Sequence, residues 1–469
     1  MLRIEVTPKE ARVDEEVRIR VSRVASGVAV RIKARMTDDF GRVWESQSIF
    51  SADGEGTVDV SRQAPVEDAP PRDLRGPRDG TRNSSYHGVD AMGLFWSMAL
   101  DPAAVGGRDL YLKKELTPQA VTLTAGIVGG ADCASVELLR HFVPPGTIVR
   151  ALDAAEPEEE GLCGLYFLPP ENERMPVPRR TLPVVITLGG SGGGLDWETA
   201  AALAGHGYAT LALPYFGFEP LPRSLNSVPL EYFEGALRWL ARRPEVDPRR
   251  IAVHGISRGG ELALLLAARF PEICAVVSVV PGSVVWQGTG KSRDRRAAVS
   301  TWTFRGKELP FVPYRMFPFR LKQAFRVMAL RRAVEFLPLH RASLRDRVAV
   351  ERAAIPVEQI GGPVLLISAG DDRVWPSSEM SRGVVQRLAA RRESPPCVHL
   401  DYPAAGHMIR LPHTPATTLE SKHLGLGVKL AFGGTPEANA RARVDAWQRT
   451  LEFLNEHLQH ACPAGTGSF

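Results

Sequence analysis

Cysteine is scarce in this 469-residue chain and poorly placed for cross-linking: Cys133, Cys163, Cys274, Cys397 and Cys462 are scattered and odd in number. A disulfide framework is therefore not expected, and with no His/Cys/carboxylate group at ligand spacing neither is a zinc site, another metal or any cofactor. Long apolar runs are missing too, none approaching the roughly 18 residues of a membrane span. The N-terminal MLRIEVTPKEARVDEEVRIRV is charged and alternating, without an apolar core or cleavage pattern, so no secretory signal is expected. The closing Gly-Ser-Phe differs from a Ser-Lys-Leu peroxisomal address. A reducing, cytoplasmic setting fits these lacks.

Net charge is small, +5, but uneven. Between Lys291 and Arg347 fifteen Lys/Arg stand against four Asp/Glu, a local +11 that leaves −6 elsewhere. Such a concentration suits an anion, whether nucleic acid or a phosphate-bearing small substrate, and the plain alternative is a solvated surface segment. Trp302, Phe304, Phe311, Tyr314, Phe317, Phe319 and Phe325 are interleaved with the charges, so the segment has apolar material to pack or to cover a ligand.

The most informative stretch present is RIAVHGISRGGELALLLAARF, Arg250 to Phe270. A short apolar run, a turn through Gly255-Ile-Ser257-Arg-Gly259 and an Ala/Leu-rich helix spell strand, elbow, helix. The G-x-S-x-G spacing has a mechanical reason: strand and helix come so close around a strained nucleophile that only small residues fit two positions either side. Ser257 is thereby expected at the tip of the turn.

Taken in order, residues 1–150 read as an all-β module, a sandwich in which Val13–Val21, Val28–Met36, Arg42–Phe50, Asp109–Lys113 and Val121–Gly126 supply period-two strands. Gln63 to Ser85, rich in Pro, Arg and Asp, reads as a long loop. His87 and His141 are read as surface or packing residues. A boundary falls near Pro144-Pro-Gly146 or the acidic run Glu156 to Glu160, and residues 151–469 form the second domain. There, short apolar runs (Gly164–Leu168, Pro183–Leu188, Tyr208–Leu213, Arg250–His254, Ala275–Val280, Pro363–Ile367, Val398–Tyr402) alternate with helix patterns at Asp196–Gly205, Leu230–Arg242 and Pro436–Leu458. That is the layout of an α/β fold with a doubly wound parallel sheet, here of the α/β-hydrolase kind, with Ser257 after the fifth strand.

Three further features fall where such a site needs them. The run Pro183–Leu188 ends in Gly189-Gly-Ser-Gly-Gly-Gly194, whose backbone N–H groups at Gly190, Ser191 and Gly192, with that of Arg258, are the expected oxyanion donors, worth roughly 2.7–4 kcal/mol each in related chemistry. A phosphate-cradling nucleotide loop is not supported, because G-x-x-x-x-G-K-S/T is missing. Asp372, in Gly370-Asp-Asp-Arg-Val-Trp-Pro376, is the expected acid, preferred over Asp371. His407, in Tyr402-Pro-Ala-Ala-Gly-His407, is the expected base, with His254 a weaker rival. The order Ser257, Asp372, His407 is the Ser…Asp…His order of this fold.

These motifs, together with Met92-Gly-Leu-Phe-Trp96, Arg140-His-Phe-Val-Pro-Pro-Gly146, Leu203-Ala-Gly-His-Gly-Tyr-Ala-Thr-Leu-Ala-Leu213, Leu230-Glu-Tyr-Phe-Glu234, Ile355-Pro-Val-Glu358 and Gly362-Pro-Val-Leu-Leu-Ile367, carry a resemblance over nearly the whole chain. The sequence resembles the acyl-CoA thioesterase and bile acid-CoA:amino acid N-acyltransferase family. The resemblance implies an immunoglobulin-like N-terminal sandwich, an α/β-hydrolase domain, acyl-CoA substrates, and Ser257, Asp372 and His407 as nucleophile, acid and base. Family transferases use Cys at the elbow, so Ser257 favours hydrolysis of fatty acyl-CoA. N-acyl transfer to an amino acid and a carboxylesterase or lactone hydrolase indifferent to CoA remain the alternatives. The chain departs from the family pattern at Gly189 and Ser191, and in a long, basic, cap-like segment 281–355 whose Arg295, Arg296 and Arg305 are expected to meet the phosphates of CoA. No nucleic-acid partner is expected, and the chain is expected to be a monomer or weak homodimer.

Overall fold

The computed structural model describes residues 1–66, 84–101, 110–171, 181–289, 298–330, 332–391, 395–422 and 428–458. The chain divides into two compact units: Met1–Val143 with Arg410–Leu430 and Thr435–Val444, and Pro144–Ile409 with Ala431–Gly434 and Asp445–Phe469. Two C-terminal segments thus belong to the N-terminal unit, so the division is not a single cut in the sequence.

In the first unit, Arg3–Thr7, Arg18–Ser22 and Val58–Asp59 form one sheet. Glu10–Arg12, Ala29–Thr37, Val43–Ser51, Ala99–Leu100, Gln119–Ile127 and Cys133–His141 form a second. Alternation decides the facing: Val30, Ile32, Ala34 and Met36 are buried while Lys33 and Arg35 are exposed, and a one-residue slip would reverse every one of them. The expected strand Asp109–Lys113 is not one. Asp109 lies outside the described residues, and Leu110–Lys113 is irregular, with Tyr111 edge-on to Trp44 (centroids 5.8 Å apart) and Lys113 buried against Asp39 at 2.7 Å. Side-chain anchoring there produces the same alternation a ladder would. Cys133–His141 escaped the sequence reading because few of its side chains are fully buried. Most of the expected loop Gln63–Ser85 lies outside the described residues.

The second unit is built on eight strands: β1 Ile148–Leu152, β2 Gly164–Leu168, β3 Leu182–Leu188, β4 Ala209–Ala212, β5 Val246–Ile256, β6 Ile273–Val279, β7 Val364–Ala369 and β8 Cys397–Tyr402. Their spatial order is β1-β2-β4-β3-β5-β6-β7-β8, antiparallel from β1 through the β2/β4 pair and parallel from there to β8. Every residue of β3, β6 and β7 is buried, which explains why these strands read as continuous apolar runs. Among the helices packed near them are α1 Trp197–Ala204, α2 Glu231–Ala241 and α3 Arg258–Ala267. Helix α2 buries Phe233, Ala236, Leu237, Trp239 and Leu240, a single stripe at helical spacing, while α3 is buried on all sides.

Two of the imidazoles enclosed in this unit are held well below their ordinary pKa. His254 sits on β5, and His340, in the helix Leu337–Ser343, packs against Trp286, Tyr314 and Trp375 at centroid distances of 4.8, 5.5 and 5.7 Å. Burial disfavours the imidazolium and lowers both pKa values from 6.5 to about 4. Unfolding lets each take up a proton near its ordinary pKa, so their contribution is complete above about pH 6.5 and declines as the pH falls toward 4, by up to about 3 kcal/mol per site. The thermal midpoint should accordingly drop over that interval, and His340→Leu should drop less steeply than the wild type. Parallel curves for the two proteins would contradict this account.

Candidate active site

Strand β5 runs into Ser257, whose backbone is held at φ 58°, ψ −113°, and α3 starts at the next residue. The Ser257 amide donates to the Val279 carbonyl of β6 at 2.8 Å, which holds the strained turn against the neighbouring strand. The flanking glycines are required by close approach. A Cβ on Gly255 would lie 2.0 Å from the Gly259 carbonyl oxygen, and one on Gly259 would lie 2.2 Å from that of Leu188. Any larger residue would push α3 away from the end of β3.

Ser257 Oγ lies 2.9 Å from His407 Nε2, and His407 Nδ1 lies 2.8 Å from Asp372 Oδ2. All three side chains are buried. Asp372 is over-determined: its Oδ1 accepts from the amides of Val374 (2.8 Å) and Trp375 (3.2 Å), and its Oδ2 also accepts from Ser377 Oγ (2.9 Å). A carboxylate bound this way has one orientation available. Asp371 is turned elsewhere, accepting from the Gly434 amide at 2.8 Å and pairing with Arg373.

His407 and Asp372 are set together by a third segment. The amides of His407 and Arg373 both donate to the Phe432 carbonyl, at 2.9 and 3.3 Å. This staple is tight: a Cβ on Gly406 would fall 2.2 Å from the Gly433 oxygen, and one on Gly433 (φ +85°) would fall 1.9 Å from the Asp371 oxygen. Trp375 closes the side of the histidine, with ring centroids 6.0 Å apart and its indole N–H on the Val280 carbonyl at 3.0 Å.

The glycine-rich loop also reaches the serine. A Cβ on Gly190 would stand 3.2 Å from Ser257 Cβ and 3.7 Å from its Oγ. The Gly193 amide donates to the Gly190 carbonyl at 3.2 Å, so Gly190 to Gly193 form a tight turn, and Tyr215 Oη donates to the Gly189 carbonyl at 2.5 Å. Ser191 and Gly192 lie on the exposed crest of that turn. Arg258, at the first helical position, contributes an amide with no intrahelical acceptor.

The Arg258 side chain was not read from the sequence at all. It is buried, donating to Glu261 Oε2 (2.8 Å), the Gln287 carbonyl (2.9 Å) and Tyr314 Oη (2.5 Å), and lies over the Trp375 ring at 5.8 Å. Trp302 Nε1 donates to Glu261 Oε1 at 2.8 Å. Burial works against the charge on Arg258, but Tyr314 and Glu261 outweigh it and raise its pKa. An Arg-x-x-Glu pair inside an otherwise apolar helix was the available signal.

Other expected residues fall apart from this cluster. His254 is buried within the sheet, and its Nδ1 has no hydrogen-bond partner among the described residues. Arg295 and Arg296 lie outside the described residues. Arg305 is exposed, its guanidinium 5.2 Å from the Phe304 ring and its amide bonded to Glu231. Phe304 in turn packs on Phe270 at 6.4 Å, beyond the C-terminal end of α3, so the structure does not bring Arg305 to Ser257.

Comparison with known proteins places these features in a family. Residues 228–460 match the profile described as BAAT / Acyl-CoA thioester hydrolase C terminal, and residues 14–69 and 76–153 match the Acyl-CoA thioester hydrolase/BAAT N-terminal region. Acyl-coenzyme A thioesterase 1 of Homo sapiens is 32% identical over 452 residues, covering 95% of this chain and 94% of that one. Acyl-coenzyme A thioesterase 2, mitochondrial, of Homo sapiens is also 32% identical, over 95% of this chain and 82% of its own. Among solved structures, a putative dienelactone hydrolase from Klebsiella pneumoniae covers 66% of this chain and 99% of its own at 16% identity, with a TM-score of 0.37. On the two profiles and the full-length likeness, the chain belongs to the acyl-CoA thioester hydrolase/BAAT family.

Proposed function

We propose that this protein is a serine hydrolase that cleaves fatty acyl-CoA to free acid and CoA through an acyl-enzyme. The observation that carries the reading is the continuous chain from Ser257 Oγ through His407 to Asp372, at 2.9 and 2.8 Å. Its curated relatives are named acyl-CoA thioesterases. Ser257 donates its proton to His407 Nε2 as Oγ attacks the thioester carbonyl. Asp372 accepts from Nδ1–H, which fixes the tautomer and stabilises the imidazolium. The developing oxyanion is met by the Arg258 amide and by backbone amides of the Gly190, Ser191 and Gly192 turn. CoA departs with the proton from His407, and water activated by the same imidazole then releases the acid. Three triad residues from one chain suit a monomer or weak homodimer, and scattered thiols suit the cytoplasm.

We further propose that Arg295, Arg296 and Arg305 meet the phosphates of CoA. The support is charge: fifteen Lys/Arg against four Asp/Glu between Lys291 and Arg347 suit the phosphates of CoA.

Free-thiol release from an acyl-CoA panel, with product mass spectrometry in the presence and absence of glycine and taurine, tests the reaction. Free acid should be the product under all conditions, and Ser257→Ala should lower kcat by about a thousandfold or more. An acyl-amide product would instead identify a transferase. Asp372→Asn should lose a comparable factor, as expected for a mis-set tautomer, whereas Asp371→Asn should lose less than about tenfold; the reverse ranking would exchange their roles. Neutralising Arg295, Arg296 and Arg305 together should raise KM for acyl-CoA with kcat little changed, and an unaltered KM would remove them from CoA binding.

A further inference from the structure

The helix Met316–Met328, between β6 and β7, leaves a large apolar stripe outward, unlike an ordinary surface helix. Surface helices bury their apolar stripe and expose the polar one. Here the side facing the protein is mixed, with Gln323 and Arg326 beside Met316, Phe319 and Val327. Gln323 accepts the Glu335 amide at 3.2 Å, and Arg326 donates to the Ala333 carbonyl and the Glu335 carboxylate, each at 2.7 Å. Phe319 adds a stacked contact with Phe336 at 5.6 Å. The outward side carries Phe317, Leu321, Phe325 and Met328, with relative exposures of 83, 66, 63 and 81%. Phe317 is extended (φ −103°, ψ 132°), so the regular turns follow it. At about 100° per residue, Leu321, Ala324, Phe325 and Met328 fall within an arc of about 100°, with Arg320 on one flank and Lys322 on the other. From Arg315 to Arg332 there are six basic residues and no acidic one.

We propose that this face docks the protein on an anionic lipid surface. An apolar arc between cationic flanks matches the boundary of headgroups and acyl chains, where the ring and aliphatic side chains enter and the Arg/Lys meet negative headgroups. A second copy of the chain is a poor occupant, because it would set the same cations against one another. The buried polar contacts of Gln323 and Arg326 fix the roll of the helix, so the outward stripe is held outward. The helix is also tied to the catalytic end of the sheet: the amides of Phe336 and Leu337 both donate to the Arg373 carbonyl at 3.0 Å, one residue past Asp372. Docking would hold the acid loop beside a membrane, where long-chain acyl thioesters partition. That use rests on the thioesterase reading; the docking does not.

The test is co-sedimentation of the full chain with vesicles of phosphatidylcholine alone and with vesicles containing about one-third phosphatidylglycerol. Binding is expected to the anionic vesicles and should weaken at least about tenfold in about 0.5 M salt. The double variant Leu321→Asp, Phe325→Asp should lose binding while keeping the wild-type thermal midpoint and hydrolysis of a water-soluble acyl-CoA. Arg320→Glu with Lys322→Glu should lose the preference for anionic vesicles. Absence of binding to either vesicle, or equal binding by wild type and the Asp double variant, would overturn the proposal. So would a concentration-dependent dimer that the double variant abolishes while vesicles are ignored, since that would assign the face to a second copy. Vesicle binding by a protein that cleaves no acyl-CoA would leave the docking standing and sink the thioesterase reading alone.

Discussion

The close approach of α3 to the end of β3 is the constraint from which the catalytic end of the sheet follows. With Gly259 lacking a side chain, the helix sits against the Leu188 carbonyl, and the same proximity brings Gly190 within van der Waals reach of Ser257. Nucleophile and glycine-rich turn are therefore one object: whatever moves the helix moves the serine relative to the donors that would receive its product charge. The strained dihedrals of Ser257 persist because β6 holds its amide and the helix holds its carbonyl, through the Glu261 amide at 3.0 Å.

The acid and base are fixed in a different manner, by hydrogen bonds in excess of need. Four donors converge on the Asp372 carboxylate, so its geometry does not depend on any one of them. Behind the serine lies a second buried ion pair, Arg258 with Glu261, surrounded by Trp286, Trp302, Tyr314 and Trp375. A pair so deeply buried contributes little net stability, because desolvation offsets its Coulomb attraction, but removing either partner leaves an uncompensated charge. Its evident effect is to hold the first turn of α3, and with it the Arg258 amide, in one orientation.

How much of this was legible in the sequence depends on the kind of signal. Strands of this sheet announce themselves as apolar runs, and all seven such runs correspond to strands, although β2 is antiparallel and β8 only partly buried. Only the largely exposed Ile148–Leu152 at the sheet's edge was missed, because its burial pattern resembles that of a loop. Within the site, Ser257, Asp372 and His407 were legible because each follows a strand in a glycine-bearing turn. Trp375, Ser377 and the Arg258 side chain were not, since nothing local says which way a tryptophan or a buried arginine points. The Asp109–Lys113 alternation misled because side-chain anchoring and strand pairing leave the same period-two trace.

The Phe432 to Gly434 staple has a bearing on how the site comes into being. Translation delivers the nucleophile, then the acid, then the base, and all three are in hand by residue 407. The segment that sets the spacing between the last two arrives some twenty-five residues later. A growing chain thus possesses every reacting group before it possesses the geometry that makes them reactive, and the site can be completed only after residue 432 has been made.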